Sequence, residues 1–215
     1  MLGLDGGGTK TVCVALPATH DVATAPESCP PLSRVVAGST NWNSVGTDMA
    51  RHNLQQALDQ TLLECERTQQ DIAAICLGVS GVDRPEDHAR MNAWLAELLP
   101  GVLTSIHNDA VIALASGTSG DLYGIVLISG TGMIAMGFNR GGERGRAGGW
   151  GALLGDGGSG YAIGAAVLRA VTWAVDGRGP ATALTAATLT ALNLDRVEQL
   201  VRWTYDDVSW NRIAE

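Results

Sequence analysis

Three short, largely apolar runs of strand length open the chain. Leu2–Asp5 and Thr11–Leu16 face each other across Gly6-Gly7-Gly8-Thr9, and Ser33–Ala37 follows a polar, proline-bearing connection, Pro17–Leu32. Together they predict an antiparallel meander. The pattern then changes. Met49, Leu54, Ala57, Leu58, Thr61, Leu62 and Cys65 make a stripe at helical spacing and predict a long helix over Val45–Arg67. Asp71–Val79 is almost continuously apolar, as a parallel strand covered on both faces would be. Pro85 opens a helix over Glu86–Leu99, Val102–Ile106 reads as another strand, and a helix begins at Ala110.

A break in composition at Ser116–Asp121 predicts a domain boundary, with 1–118 in the first domain and 119–215 in the second. Beyond it the opening pattern returns. Tyr123–Ser129 and Met133–Phe138 are apolar strands around Gly130-Thr131-Gly132, as the first two strands surround Gly6–Thr9. Two strand–turn–strand units about 120 residues apart suggest two related domains. Asn139–Arg146 reads as a charged turn. In 147–160, seven of fourteen residues are glycine. Trp150, Leu153 and Leu154 in that stretch argue for an ordered, ligand-facing loop, because linkers do not usually bury such residues. Helices are predicted over Ser159–Val175, Thr182–Ala191 and Leu194–Tyr205.

Composition narrows the chemistry. Glycine supplies 28 of the 215 residues, nearly twice the usual share of about 7%. The excess gathers at turns, where backbone can come close to a ligand. A net charge of −8 disfavours nucleic acid or an anionic membrane as partner. A polyphosphate would then be held by backbone N–H groups, local dipoles and a metal ion. Cys13, Cys29, Cys65 and Cys76 have no C-x-x-C spacing and read as reduced residues. No apolar run approaches the roughly 18 residues that cross a bilayer, and the first strand starts at once, so a cytoplasmic protein is expected.

The candidate groups have two readings each at this point. Glycine reaches positive φ without steric cost, so Gly6–Gly8 can be a plain turn or a cradle of N–H groups for an anion; the second turn favours the cradle. Asp109 stands after a strand and before a helix. It is either a helix cap or a group at the carboxyl edge of a sheet, where α/β folds bind ligands. Asn41 is a cap or a ligand contact, Trp42 can close the core, and Asp156 can cap a helix or orient a ligand. His107 and Asn108 are loop groups without an assigned role.

The stretches L-D-G-G-G-T-K-T, S-T-N-W-N, G-V-S-G-V-D, N-D-A, L-I-S-G-T-G and G-G-W-G-A-L-L-G-D-G-G-S-G-Y resemble, in that order, the N-acetylglucosamine kinases. These belong to the BadF/BcrA-type ATPase group of the sugar kinase/actin/heat-shock-chaperone superfamily. The resemblance implies an α/β protein of ribonuclease-H-like (actin-like ATPase) domains with a cleft between them, the first domain complete and the second partial. It implies ATP and Mg2+ as cofactors, a small sugar as substrate, and a kinase that acts on the sugar 6-hydroxyl; a homodimer is compatible with it. Asp109 would be the base. Gly7, Gly8, Thr9, Lys10, Gly130, Thr131 and Gly132 would contact nucleotide phosphates, and Asp5 would hold the metal through water. Asn41, Gly149, Trp150 and Asp156 would contact the sugar. Such kinases run about 120 residues further, so the adenosine pocket is expected to be missing. A glucosamine or other hexose kinase, or a non-catalytic sugar-binding remnant, are the alternatives.

Overall fold

A computed structural model describes residues 1–18, 30–207 and 210–215. Cys29 and most of the Pro17–Leu32 connection lie outside the described residues. The chain forms two compact units, Met1–Leu127 with Ala135–Arg146, and Ile128–Ile134 with Ala147–Glu215. They do not divide at 118, where the break in composition lies.

The first unit is built on a five-stranded sheet in the order β3-β2-β1-β4-β5. Strands β1 (Leu2–Gly6), β2 (Lys10–Ala15) and β3 (Ser33–Gly38) form the expected antiparallel meander. Strands β4 (Ala74–Val79) and β5 (Leu103–His107) run parallel to β1. Leu2, Leu4, Cys13, Ile75, Leu77 and Val79 point to one face, where they share a core with Leu54, Leu58, Met91 and Leu95. The last four come from helices α2 (Thr47–Glu64) and α3 (Pro85–Leu98). Full burial of each such side chain stabilises by roughly 1.5–3 kcal/mol.

Three sequence expectations change here. The helix predicted from Val45 is two helices: Trp42–Val45 forms a separate turn, α1, and Gly46 at φ 82° breaks the path before α2. Strand β4 starts later than Asp71, because Asp71 closes a 3₁₀ turn by accepting from the Thr68 N–H and hydroxyl. Nor is β4 covered on both faces. Cys76 is exposed, and α4 (Asp109–Gly117) covers only the carboxyl end of the strand, laying Ile112 over Gly78.

The second sheet has the order β6-β7-β8, with β6 at Gly124–Ser129 and β7 at Met133–Phe138. The division between units falls within β6 and β7. Strand β8 (Arg144–Gly148) replaces part of the predicted turn. Asn139 makes the tight connection, its Oδ1 accepting from the Gly141 and Glu143 N–H groups. In the second unit, Ser159 caps α5 (Gly160–Val175) by accepting from the Ala162 N–H at 3.1 Å. Helices α6 (Leu184–Leu192) and α7 (Gln199–Asp206) follow. Helix α8 (Trp210–Ala214) packs on α5, with the Trp210 and Tyr161 rings edge to face at 5.1 Å.

Candidate active site

Parallel pairing aligns the ends of β1, β4 and β5. Asp5 lies opposite Gly78, and Gly78 opposite His107. The carboxyl ends of these strands and the segments leaving them therefore lie at one edge: Asp5 stands near the end of β1, Ser80 just after β4 and Asp109 just after β5. The first glycine turn sits at the same edge. It is closed by the Gly7 N–H donating to the Lys10 carbonyl at 2.9 Å, and it leaves Thr9 and Lys10 exposed.

The segment after β3 ties this turn to Asn41. The Ser39 hydroxyl donates to the Gly7 carbonyl at 2.8 Å and accepts from the Asn41 N–H at 3.1 Å. Asn53 of α2 holds the Ser39 carbonyl at 2.8 Å, and the Thr40 N–H donates to the Thr11 hydroxyl at 3.1 Å. Asn41 caps α1, its Oδ1 accepting from the Asn43 N–H at 3.0 Å. Its Nδ2 then faces the Ser80 hydroxyl at 3.4 Å. Trp42 is buried beside it, edge to face with Trp94 at 5.6 Å and under the Arg90 guanidinium at 5.1 Å. Gly81 permits the approach of the two segments: it has φ 85°, and a Cβ there would lie 2.9 Å from Asn41 Oδ1.

Asp109 is the first residue of α4, and its neighbour is the cap. Asn108, assigned no role from sequence, accepts from the Ala110 N–H at 3.1 Å in extended cap geometry. The Asp109 carboxyl is pushed above the usual aspartate range. Burial is the main cause, and the charge of Asp5 adds to it. The N–H groups of Ala110 and Asp109 and the Ser80 hydroxyl pull the other way by hydrogen bonding to the carboxylate. Asp109 is thus a half-buried carboxylate with a raised proton affinity, in reach of a neutral hydroxyl and a second acid. That combination suits a general base.

The second unit carries a matching turn. Gly130-Thr131-Gly132 is closed by the Gly130 N–H donating to Gly132 O at 2.9 Å, and the start of α5 docks on it. The Gly160 and Tyr161 N–H groups donate to Gly130 O and Thr131 O at 2.8 and 3.3 Å. The structure places Asp156 at this turn and gives the cap of α5 to Ser159. Asp156 is 6% exposed, and its Oδ1 has no hydrogen-bond partner. A Cβ on Gly132 would come within 2.8 Å of its Oδ2. A buried acceptor left unpaired is costly, and a ligand donor would relieve the cost.

Gly149 continues the strand pairing, its N–H donating to Met133 O at 2.7 Å. The loop beyond is closed by bonds of its own, but its apolar residues are not buried. Trp150, Leu153 and Leu154 are 65%, 80% and 78% exposed, against the sequence expectation. Among the described residues no three His, Cys, Asp or Glu side chains cluster as a metal cage. Magnesium does not need one, since it keeps waters and binds through one or two carboxylates plus substrate phosphates. Asp5, exposed beside Asp109 at the sheet edge, fits that mode.

Comparison with known proteins decides the lineage. The profile of the BadF/BadG/BcrA/BcrD ATPase family matches residues 2–214. The chain belongs to this ATPase family. It is 43% identical to the N-acetyl-D-glucosamine kinase of Dictyostelium discoideum over all of its length and 67% of that protein's. It is 35% identical to the N-acetylmuramic acid/N-acetylglucosamine kinase of Clostridium acetobutylicum, over 95% of the chain and 64% of the relative. The chain thus spans about two thirds of the length of these curated relatives. Among solved structures it resembles a candidate N-acetylglucosamine kinase from Chromobacterium violaceum, with a TM-score of 0.76 and 27% identity. That likeness covers 99% of the chain and 71% of the other. The actin-like, ribonuclease-H-like fold expected from the sequence is therefore the fold of this ATPase family member.

Sequence reading missed Ser39, Asn53, Ser80 and the Asn108 cap. It also missed Asp83, which follows Ser80 by three residues and is clasped by Arg144 and Arg146 of β8. Ser39 and Ser80 lie inside quoted motifs, but their partners come from other segments.

Proposed function

We propose that this ATPase family member transfers the γ-phosphoryl group of ATP to the 6-hydroxyl of N-acetyl-D-glucosamine. The observation that carries the reading is the cluster of Asn41, Ser80, Asp5 and Asp109 at the carboxyl edge of the first sheet, next to a glycine turn. Asn41 orients the sugar, and Asp109 accepts the 6-hydroxyl proton as that oxygen bonds to phosphorus. The bond from the γ-phosphorus to the β–γ bridging oxygen breaks, and ADP leaves with the electron pair. Backbone N–H groups of Gly7, Gly8, Thr9 and Lys10, and those of Gly130, Thr131 and Gly132, hold phosphate oxygens. This is the anion mode open to a chain with a net charge of −8. Bound magnesium would neutralise developing phosphate charge, and Asp5 is the residue that would hold it. Gly149, Trp150 and Asp156 serve the sugar, the indole taking an apolar ring face.

A coupled assay for ADP, with mass spectrometry of the product, tests the reading. The expected product from N-acetylglucosamine and ATP is the 6-phosphate. Preferred turnover of glucosamine or N-acetylmuramic acid would move the specificity. Sugar binding without nucleotide binding in calorimetry would make the chain a binding module instead.

A further inference from the structure

We infer that Ser39 is a positioning residue that couples the two sides of the candidate site: its buried hydroxyl joins the first glycine turn to Asn41, so that a ligand held by either is felt at the other. The inference rests on the reading of Asn41 as a sugar contact and of the turn as a phosphate cradle. Donor arithmetic fixes the direction of both bonds. The Gly7 carbonyl can only accept, so it takes the hydroxyl proton, at 2.8 Å. The Asn41 N–H can only donate, so it points at the Ser39 oxygen, at 3.1 Å. The two bonds therefore run the same way, from the Asn41 N–H through Ser39 to Gly7 O. Bonds linked in this manner polarise one another, and burial strengthens the effect. Gly7 O belongs to the same peptide group as the Gly8 N–H. An anion drawn to that N–H makes the carbonyl a better acceptor, tightens the Ser39 bond and draws in Asn41. Sugar held by Asn41 acts back along the same bonds, as linkage requires.

The surroundings leave the hydroxyl as the part that responds. The Ser39 carbonyl is clamped at 2.8 Å by Nδ2 of Asn53, a buried residue of α2. Gly38 lets α2 come that close, since a Cβ there would lie 2.6 Å from Asn53 Nδ2. The Thr40 N–H donates to Thr11 Oγ1 at 3.1 Å, and both residues are fully buried. Each end is also held without Ser39. The turn keeps the bond from the Gly7 N–H to Lys10 O, and Asn41 keeps its cap on α1. Loss of the hydroxyl therefore cuts the link and spares the parts.

The test is a titration of the full chain with N-acetylglucosamine, read by nitrogen-15 NMR at the Gly8 amide, which senses the bond made by the Gly7 carbonyl. Saturating sugar should move that signal in the wild type with no nucleotide present. In Ser39→Ala the sugar should still bind within about tenfold of wild type, the most that one neutral hydrogen bond is usually worth. Most of the Gly8 shift should nevertheless be lost. Ser39→Thr, which keeps the hydroxyl, should restore it. An equal shift in Ser39→Ala would mean that sugar reaches the turn by another route and would overturn the inference. So would a Gly8 signal that stays still while the wild type binds sugar, a measurement that needs no variant. A wild-type chain that binds no sugar refutes the sugar reading itself, and the coupling falls with it.

Discussion

Replacing Asp109 by Asn is the sharpest probe of the candidate site, because it should damage activity and improve stability together. The fold should survive. Asn108 makes the α4 cap, so its bond to the Ala110 N–H remains when the carboxylate is gone. Activity should fall by the usual worth of a general base, about 10²- to 10⁴-fold in kcat, or roughly 3–5 kcal/mol of barrier. Stability moves the other way. The Asp109 carboxyl titrates above its unfolded value, chiefly through burial and then the Asp5 charge. The folded state therefore binds the proton more tightly than the unfolded chain. Wild-type stability declines as pH rises from the unfolded to the folded titration point, and stays lower above it. The substituted amide carries no charge, so the Asp109→Asn variant should melt above wild type at neutral pH, and the gap should close on acidification. The same raised titration displaces the acid limb of kcat/KM above that of an ordinary aspartate, activity rising with pH as the base ionises. Coupled kinetics and thermal melts from pH 4 to 8, read at about half-unit steps, supply both measurements. A kcat within threefold of wild type would refute the base. A variant that melts lower at neutral pH would refute the account of its burial.

Two substitutions away from the base test the supports of the site. Trp42→Ala removes a ring that is 8% exposed, its edge contact with Trp94 and the Arg90 cation above it. The expected cost is about 3–5 kcal/mol, which lowers Tm by roughly 6–20 °C for a chain of this size; a drop under 2 °C would contradict the packing. Gly132→Ala drives a Cβ to 2.8 Å from the buried Asp156 carboxylate. It should cost about 1–3 kcal/mol and weaken ligand affinity in calorimetry, whereas unchanged melting and binding would mean that Asp156 is not fixed against the turn.

Much of this architecture was legible in the sequence from apolar runs and stripes. The α2 stripe buries one face at helical spacing, and the strands of the first sheet show as short apolar runs bounded by turn residues. Strand β8 buries almost nothing: Arg144, Gly145, Arg146 and Ala147 are exposed, and it has no alternation to read. Asn108 and Asp109 show a different limit. Both can cap a helix, and only backbone geometry selects Asn108, at φ −69° and ψ 148°. Trp150, Leu153 and Leu154 show a third. An apolar side chain states a preference for burial but not where a covering surface comes from. The same holds for Ser80, whose hydroxyl meets the Asn41 amide 39 residues back in the chain.

Both compact units set a carboxylate beside a glycine turn and leave it electrostatically uncomfortable. Asp109 is desolvated near Asp5, and Asp156 keeps a buried oxygen without a donor. The chain as a whole carries 22 acidic residues against 14 lysines and arginines. A nucleotide triphosphate would add about four more negative charges to such surroundings, and Coulomb repulsion at partly buried distances costs on the order of kcal/mol per pair. Backbone N–H groups carry only partial charges, so the proposed magnesium would supply the remaining offset. Thermal shifts test the argument. Magnesium–ATP at a hundredfold excess over Kd should stabilise by about 2.7 kcal/mol, or roughly 5–11 °C, while ATP with a chelator should shift Tm by less than a third of that. Asp5→Ala should remove most of the metal-dependent part and leave the sugar-induced shift intact. Equal shifts with and without magnesium would show that the turns hold phosphate unaided, and Asp5 would lose its assigned place in the site.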